Sequence, residues 1–173
     1  MAIQEECGIF GIHGSTDCAC DVYYGLFSLQ HRGQESCGIA TNDDASIECV
    51  KGMGLVSDVL SSDKIKSLKG DIAIGHVRYS TSGGSVPENA QPIVTQYSKG
   101  TLSIAHNGNL SNAAELRSAL ELNGAIFHTS SDTETIAYIV TQERLHAPSI
   151  EEALSRAMNR LEGAYSLVLM SPQ

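Results

Sequence analysis

Four polar segments interrupt an otherwise apolar-rich chain: HRGQES at 31–36, GHVRYSTSG at 75–83, HNGNL at 106–110 and SSDTE at 130–134. A fifth feature precedes them, Cys7 at the head of CGIFGI. Each has a use in amide chemistry. A thiol supplies a nucleophile. The Asn107 carboxamide and the Gly108 N–H are donors that can hold a developing oxyanion, and glycine lets its amide come close to a ligand. The Arg78 guanidinium can grip a carboxylate with two parallel hydrogen bonds, and the Asp132 carboxylate can accept from an ammonium. Together that pair would select a free amino acid. The set lacks only a general base.

Taken singly, each segment also has a plainer reading. Asn-Gly is a favoured turn pair, so HNGNL reads as a turn. Asp132 suits the first turn of a helix, where the dipole favours an acid. Arg78 can pair with a surface carboxylate, and His31, His76 and His106 can be satisfied core or loop histidines. The Cys18-Ala19-Cys20 pair, with His13 nearby, misses the usual two-residue gap of a metal site, and no second Cys/His pair answers it. Five cysteines without an export signal argue against a disulfide framework.

The elements that must position these residues are short strands and amphipathic helices. Gly8 to Ile12 reads as a buried strand and Asp17 to Gln30 as a helix with Val22, Leu26 and Leu29 on one face. Strand-like runs follow at Gly38 to Thr41 and Ser46 to Lys51, then helical pieces around Val56 to Leu60 and Asp63 to Leu68. Asp71 to Val77 is another apolar run, and residues 80–92 carry loop chemistry. Strands resume at Ile93 to Tyr97 and Thr101 to Ala105. Ser111 is placed to cap a helix through Asn123, and two capping boxes, Ser131 with Glu134 and Ser149 with Glu152, open two more. Ala164 to Met170 is a last strand. Paired strands followed by paired helices predict an α+β arrangement, two antiparallel sheets packed together with helices outside.

With 173 residues, 42% of them hydrophobic and 18% charged, the chain can bury one sizeable core. Its formal charge of −9, from 11 basic and 20 acidic residues, offers no footprint for nucleic acid or an anionic membrane. No apolar run approaches the roughly 20 residues of a membrane helix, and no secretion leader is present, so a cytoplasmic location is expected.

The ordered set CGIFGI, HRGQESCGIA, GHVRYSTSG, AHNGNLSN and SSDTE resembles the glutaminase domain of the glutamine phosphoribosylpyrophosphate amidotransferase (amidophosphoribosyltransferase) family. That domain is a class II glutamine amidotransferase of the N-terminal nucleophile (Ntn) hydrolase group. The resemblance implies an αββα sandwich, a propeptide at residues 1–6, and a glutaminase domain over 7–173 that stops before its last elements. Removal of the propeptide would expose Cys7 as the N-terminal nucleophile. Its α-amine, with a reference pKa of about 7.7 to 8.0, would then be the missing base.

Carried over by position, Arg32 and Gly33 would support the nucleophile, and Asn107 and Gly108 would form the oxyanion hole. Arg78 would bind the glutamine α-carboxylate, with Tyr79 and Thr81 bordering the pocket and Asp132 holding the α-ammonium. The reaction implied is thioester formation on Cys7 with release of ammonia. A phosphoribosyltransferase domain absent from this chain would use that ammonia to make phosphoribosylamine in purine biosynthesis. The resemblance further implies a homo-oligomer for the full-length enzyme. It implies no cofactor in this chain, but Mg in the full-length enzyme and, in some relatives, an iron–sulfur cluster. Other class II amidotransferases, an unprocessed amino-acid-binding domain, and a hydrolase built on Cys37 and a histidine are the alternatives.

Overall fold

The computed structural model describes residues 7–44, 46–79 and 84–172. Expectations for residues 1–6 and for Thr81 therefore lie outside the described residues. GIFGIH forms β1 (Gly8–His13), which pairs antiparallel with β4 (Ile72–Arg78). The other side of β4 pairs with β2 (Ser36–Asp43), and β2 with β3 (Ser46–Met53), giving a four-stranded sheet in the order β1-β4-β2-β3. A second antiparallel sheet, in the order β5-β6-β7, holds β5 (Ile93–Tyr97), β6 (Gly100–Leu110) and β7 (Gly163–Met170).

Side chains alternate across each strand, and the two faces of each sheet find different partners. Ile39, Ala73 and Val77 of the first sheet pack under Val22 and Leu26 of α1 (Cys18–Ser28) and under α2 (Val56–Val59) and α3 (Ser62–Ser67). Leu102 and Ile104 of β6 meet Ile136, Ile139 and Val140 of α5 (Asp132–His146), with α4 (Ala113–Leu122) and α6 (Ile150–Met158) completing that layer. Each of those three α5 side chains is fully buried, worth about 1.5–3 kcal/mol apiece. Ala40 and Ile74 face Ala105 and Met170 between the sheets. The result is the expected αββα layering.

Local expectations differ in three places. HNGNL is no turn: it continues β6, with Asn107 opposite Ser166, Gly108 opposite Tyr165 and Asn109 opposite Ala164. Long-range pairing with β7 overrides the local turn preference. Ser111 does not cap α4: the N-cap position falls on Asn112, and the two residues are tied to the segment between α6 and β7, Ser111 N–H donating to Glu162 O and Asn112 Nδ2 to Arg160 O. At α5 the Ser131 hydroxyl caps through Thr133 N–H at 3.3 Å, while the Glu134 carboxylate reaches past the box to the His128 and Thr129 amides. Ser149 does accept from Glu152 N–H at 3.2 Å as its box predicts.

Candidate active site

Cys7 stands immediately before β1, nearly buried, at φ 59°. The left-handed region is unusual for a residue with a side chain and costs about 1–2 kcal/mol. Contacts with Arg32 and Tyr79 hold it there. Its N–H donates to Arg32 O at 3.0 Å, its C=O accepts from Arg32 Nε at 2.8 Å, and its Sγ lies 3.3 Å from Tyr79 O and 3.4 Å from Tyr79 N. Arg32 thus touches the main chain of Cys7 on both sides of its α-carbon, from a 3-10 turn (Gln30–Arg32) that follows α1. Gly33 lets that turn lie against β4, since a Cβ there would sit 2.7 Å from the Arg78 and Val77 backbones.

β4 ends on Arg78, 3% exposed, whose Nη1 donates to Glu35 Oε2 at 3.4 Å and Gly84 O at 3.3 Å. Both the plain reading of Arg78, an ion pair with a carboxylate, and its place at a cleft therefore hold. Asn89, fully buried, donates to Gly84 O and Ser130 Oγ and accepts from Ser130 N–H. That one side chain ties the Arg78 contact to the start of α5.

The second sheet supplies the opposite wall. Asp132 opens α5, and its Oδ2 accepts from Leu110 N–H at 3.1 Å while Oδ1 lies 3.3 Å from His106 Nδ1. Burial pushes the Asp132 carboxyl up, but the His106 contact and the Leu110 and Thr133 amides outweigh it and hold it below the ordinary carboxylate value. His76, fully buried on β4, bridges the sheets by donating from Nε2 to His106 O at 2.9 Å. Its burial, against a smaller opposing effect of that bond, drives its pKa down to about 3. Gln91, just before Pro92, replaces a strand partner for β6 by accepting from His106 N–H at 2.7 Å.

A cleft of about 20 Å³ lies where these parts meet, lined by Cys7, Arg78, Tyr79, Gln91, His106, Gly108, Asn109, Ser131 and Asp132. The structure thus brings together Cys7, Arg78, Tyr79, Gly108 and Asp132 of the predicted residues. Arg32 and Gly33 stand behind Cys7. Asn107 neighbours Gly108 on β6 and is half-buried, but the cleft wall carries Asn109 in its place. Gly108, at φ 129°, runs so close to Ala164 O and the Tyr165 backbone that no side chain fits. Gln91 and Asn89 escaped the sequence reading, because a loop Gln or Asn carries no signal until its partners are known. Cys37 is wholly buried, and burial pushes its thiol up to about 12, which removes it as a nucleophile.

A family model described as "Glutamine amidotransferase domain" matches residues 76–173. An amidophosphoribosyltransferase of Methanocaldococcus jannaschii is 49% identical over 166 residues, covering 95% of this chain and 35% of that protein. The solved glutamine phosphoribosylpyrophosphate amidotransferase from B. subtilis, complexed with ADP and GMP, matches with a TM-score of 0.86 and 41% identity, over 95% of this chain and 35% of that one. A structure described as the allosteric regulatory enzyme of purine biosynthesis gives 0.88 and 42% over the same shares. The chain spans about a third of the length of the relatives it matches. No described helix is long and apolar enough to cross a membrane. With its αββα layers and the ordered motifs converging on one cleft, the chain belongs to the glutamine amidotransferase domain family.

Proposed function

We propose that this chain is the glutamine-hydrolysing part of an amidophosphoribosyltransferase. The observation that carries the reading is the meeting of Cys7, Arg78, Gly108 and Asp132 at one cleft. Arg78 takes the glutamine α-carboxylate and Asp132 its α-ammonium, an arrangement that aims the side-chain amide at Cys7. The Cys7 thiol adds to the amide carbon, and the oxygen becomes an oxyanion held by the Gly108 N–H, with the Asn107 carboxamide as its expected second donor. Collapse expels the nitrogen as ammonia with a proton from the base, leaving a γ-glutamyl thioester. Water cleaves that bond, giving glutamate and restoring the thiol. Tyr79 borders the pocket, and Thr81 is assigned the same place by position.

The base is the α-amine of Cys7, which exists only after residues 1–6 are removed. Until then the nitrogen is an amide and cannot take a proton. Two features support this reading. The positive φ of Cys7 is defined by the preceding carbonyl carbon, so cutting that bond abolishes the dihedral and its cost. The Arg32 carbonyl that accepts from Cys7 N–H is equally suited to orient a free amine. Ammonia then passes to a phosphoribosyltransferase domain in the longer enzyme to form phosphoribosylamine. Mg and any iron–sulfur cluster are assigned to that longer enzyme, and no step above runs through one.

Intact-mass measurement and labelling with a glutamine-like diazoketone test the reading together. Loss of residues 1–6 and a single adduct on Cys7 are expected. An adduct elsewhere, or ammonia release that survives Cys7→Ala, would sink it.

A further inference from the structure

We propose that His106 is a positioning residue for amino-acid recognition, holding the Asp132 carboxylate in the one orientation that leaves a lone pair for the α-ammonium of the substrate. The inference rests on the glutamine reading of the cleft and concerns how that cleft demands an α-amino group. His106 and Asp132 have side chains 1% and 7% exposed, so water cannot substitute for their contact. His106 Nδ1 lies 3.3 Å from Asp132 Oδ1 and 3.2 Å from Thr133 Oγ1. An ionised carboxylate can only accept, so Nδ1 must carry the proton, and the threonine oxygen can share it.

The ring is held against sliding. Its residue's N–H is fixed to Gln91 Oε1 and its C=O to His76 Nε2, and the Tyr165 ring stands edge-on to it at 6.4 Å. A carboxyl group has a soft terminal torsion and would otherwise turn. With Leu110 N–H on Oδ2, the imidazole on Oδ1 and the Thr133 amide also donating to the carboxylate, the group is pinned from behind and keeps one of its roughly four acceptor positions. His106 also lines the cleft, and its Nε2 is buried without a hydrogen-bond partner among the described residues. That bare nitrogen is the counterpart of a protonated Nδ1. In the complementary tautomer, two sets of lone pairs would face each other at 3.3 Å.

Two measurements test the proposal. The first compares the processed chain with its His106→Leu and His106→Asn variants on glutamine and on glutaramate, which is glutamine without its α-amino group. His106→Leu is expected to lower kcat/KM for glutamine about 10- to 100-fold, chiefly through KM, the range for losing a hydrogen bond to a charged group. Glutaramate turnover should change by less than about threefold, well below that range. His106→Asn, whose amide can supply a donor near Nδ1, should recover most of the loss. Equal losses on both substrates, or an unchanged KM for glutamine, would overturn the proposal.

The second measurement is the nitrogen NMR shifts of the His106 ring, which report the tautomer whether or not the chain hydrolyses glutamine. A protonated Nδ1 and bare Nε2 are expected, and the opposite tautomer refutes the inference. A parent chain that releases no ammonia from glutamine, yet shows the Nδ1–H tautomer, would count against the hydrolytic function alone.

Discussion

Replacing Gly33 by alanine adds a single methyl group at the point where the turn behind Cys7 touches the central strand β4. The new Cβ would lie 2.7 Å from the carbonyl carbon of Val77 and from the nitrogen and carbonyl carbon of Arg78, against 3.4 Å for ordinary contact. Those three atoms are main chain, so no side chain can swing aside, and either the turn or β4 must give by about 0.7 Å, the shortfall between the two distances. Overpacking of this kind costs about 1–3 kcal/mol, and three simultaneous backbone overlaps place it at the upper end. The opposing effect is smaller: Gly33 sits at φ −161°, which alanine adopts freely, so the unfolded chain loses entropy worth about 0.4–1 kcal/mol. A net loss of about 2 kcal/mol corresponds to a fall in Tm of about 4–8 °C for a chain of this size. Because the same turn holds the Cys7 main chain and β4 carries Arg78, ammonia release should drop by about 10- to 100-fold, in line with sub-ångström misplacement of reacting groups. Circular-dichroism melts and a coupled ammonia assay read the two effects. A Tm within about 1 °C of the parent together with undiminished activity would refute the close-approach reasoning, since the expected shift is several times larger.

Three further outcomes follow from other contacts. Gly108→Ala combines a positive φ with overlap on Ala164 O and the Tyr165 backbone, and should lower urea-unfolding stability by about 3 kcal/mol while abolishing glutamine hydrolysis. Asn89→Ala removes both links between Gly84 O and Ser130, leaving buried groups unpaired at a cost of about 2 kcal/mol. Because it loosens the Arg78 side of the cleft relative to Asp132, steady-state kinetics should show a raised KM for glutamine. His76 stays neutral when folded, with its pKa lowered from 6.5 to about 3, so between those values it is the unfolded chain that binds the extra proton. Its contribution is complete above pH 6.5 and erodes as the pH falls, by about 2 kcal/mol on reaching about pH 5. His76→Gln, which keeps a donor for His106 O, should flatten that part of the stability profile in urea titrations at pH 7 and 5, and an unaltered slope would show that His76 is not its source.

What was legible in the chain were features written in local periodicity. Ile93–Tyr97 is a strand over the range its apolar run predicts, and Ile136, Ile139 and Val140 form the buried face of α5. The turn reading of HNGNL failed because the Asn-Gly preference is local, whereas its pairing with residues 163–167 depends on a strand far along the chain. The reactive types of the site were equally visible, since a thiol, a guanidinium and a carboxylate each announce a chemistry. Their supports were not. Gln91 substitutes for a missing strand neighbour and Asn89 staples two loops, roles that exist only because β5 begins no earlier than Ile93 and the start of α5 lies beside residue 84.

The site is divided between the two sheets, and this division explains why its supports look structural. Cys7, Arg78 and Tyr79 come from the ends of β1 and β4, whereas Gly108 and Asp132 come from β6 and from the helix covering it. The gap between Cys7 and Gly108 is therefore set by how the sheets stack, through Ala40, Ile74, Ala105 and Met170 and through the His76 to His106 bridge. A close-packed interface between sheets does not deform gradually, so a larger side chain at Ala105 would move one half of the site bodily against the other. The neutral state of His76 belongs to the same logic. A charged imidazole between the sheets would be costly to bury, while a neutral one can donate its single proton across the interface and fix the register of β4 against β6. Placing that bridge beneath His106 puts the fixed point of the stack directly behind the residue that orients Asp132.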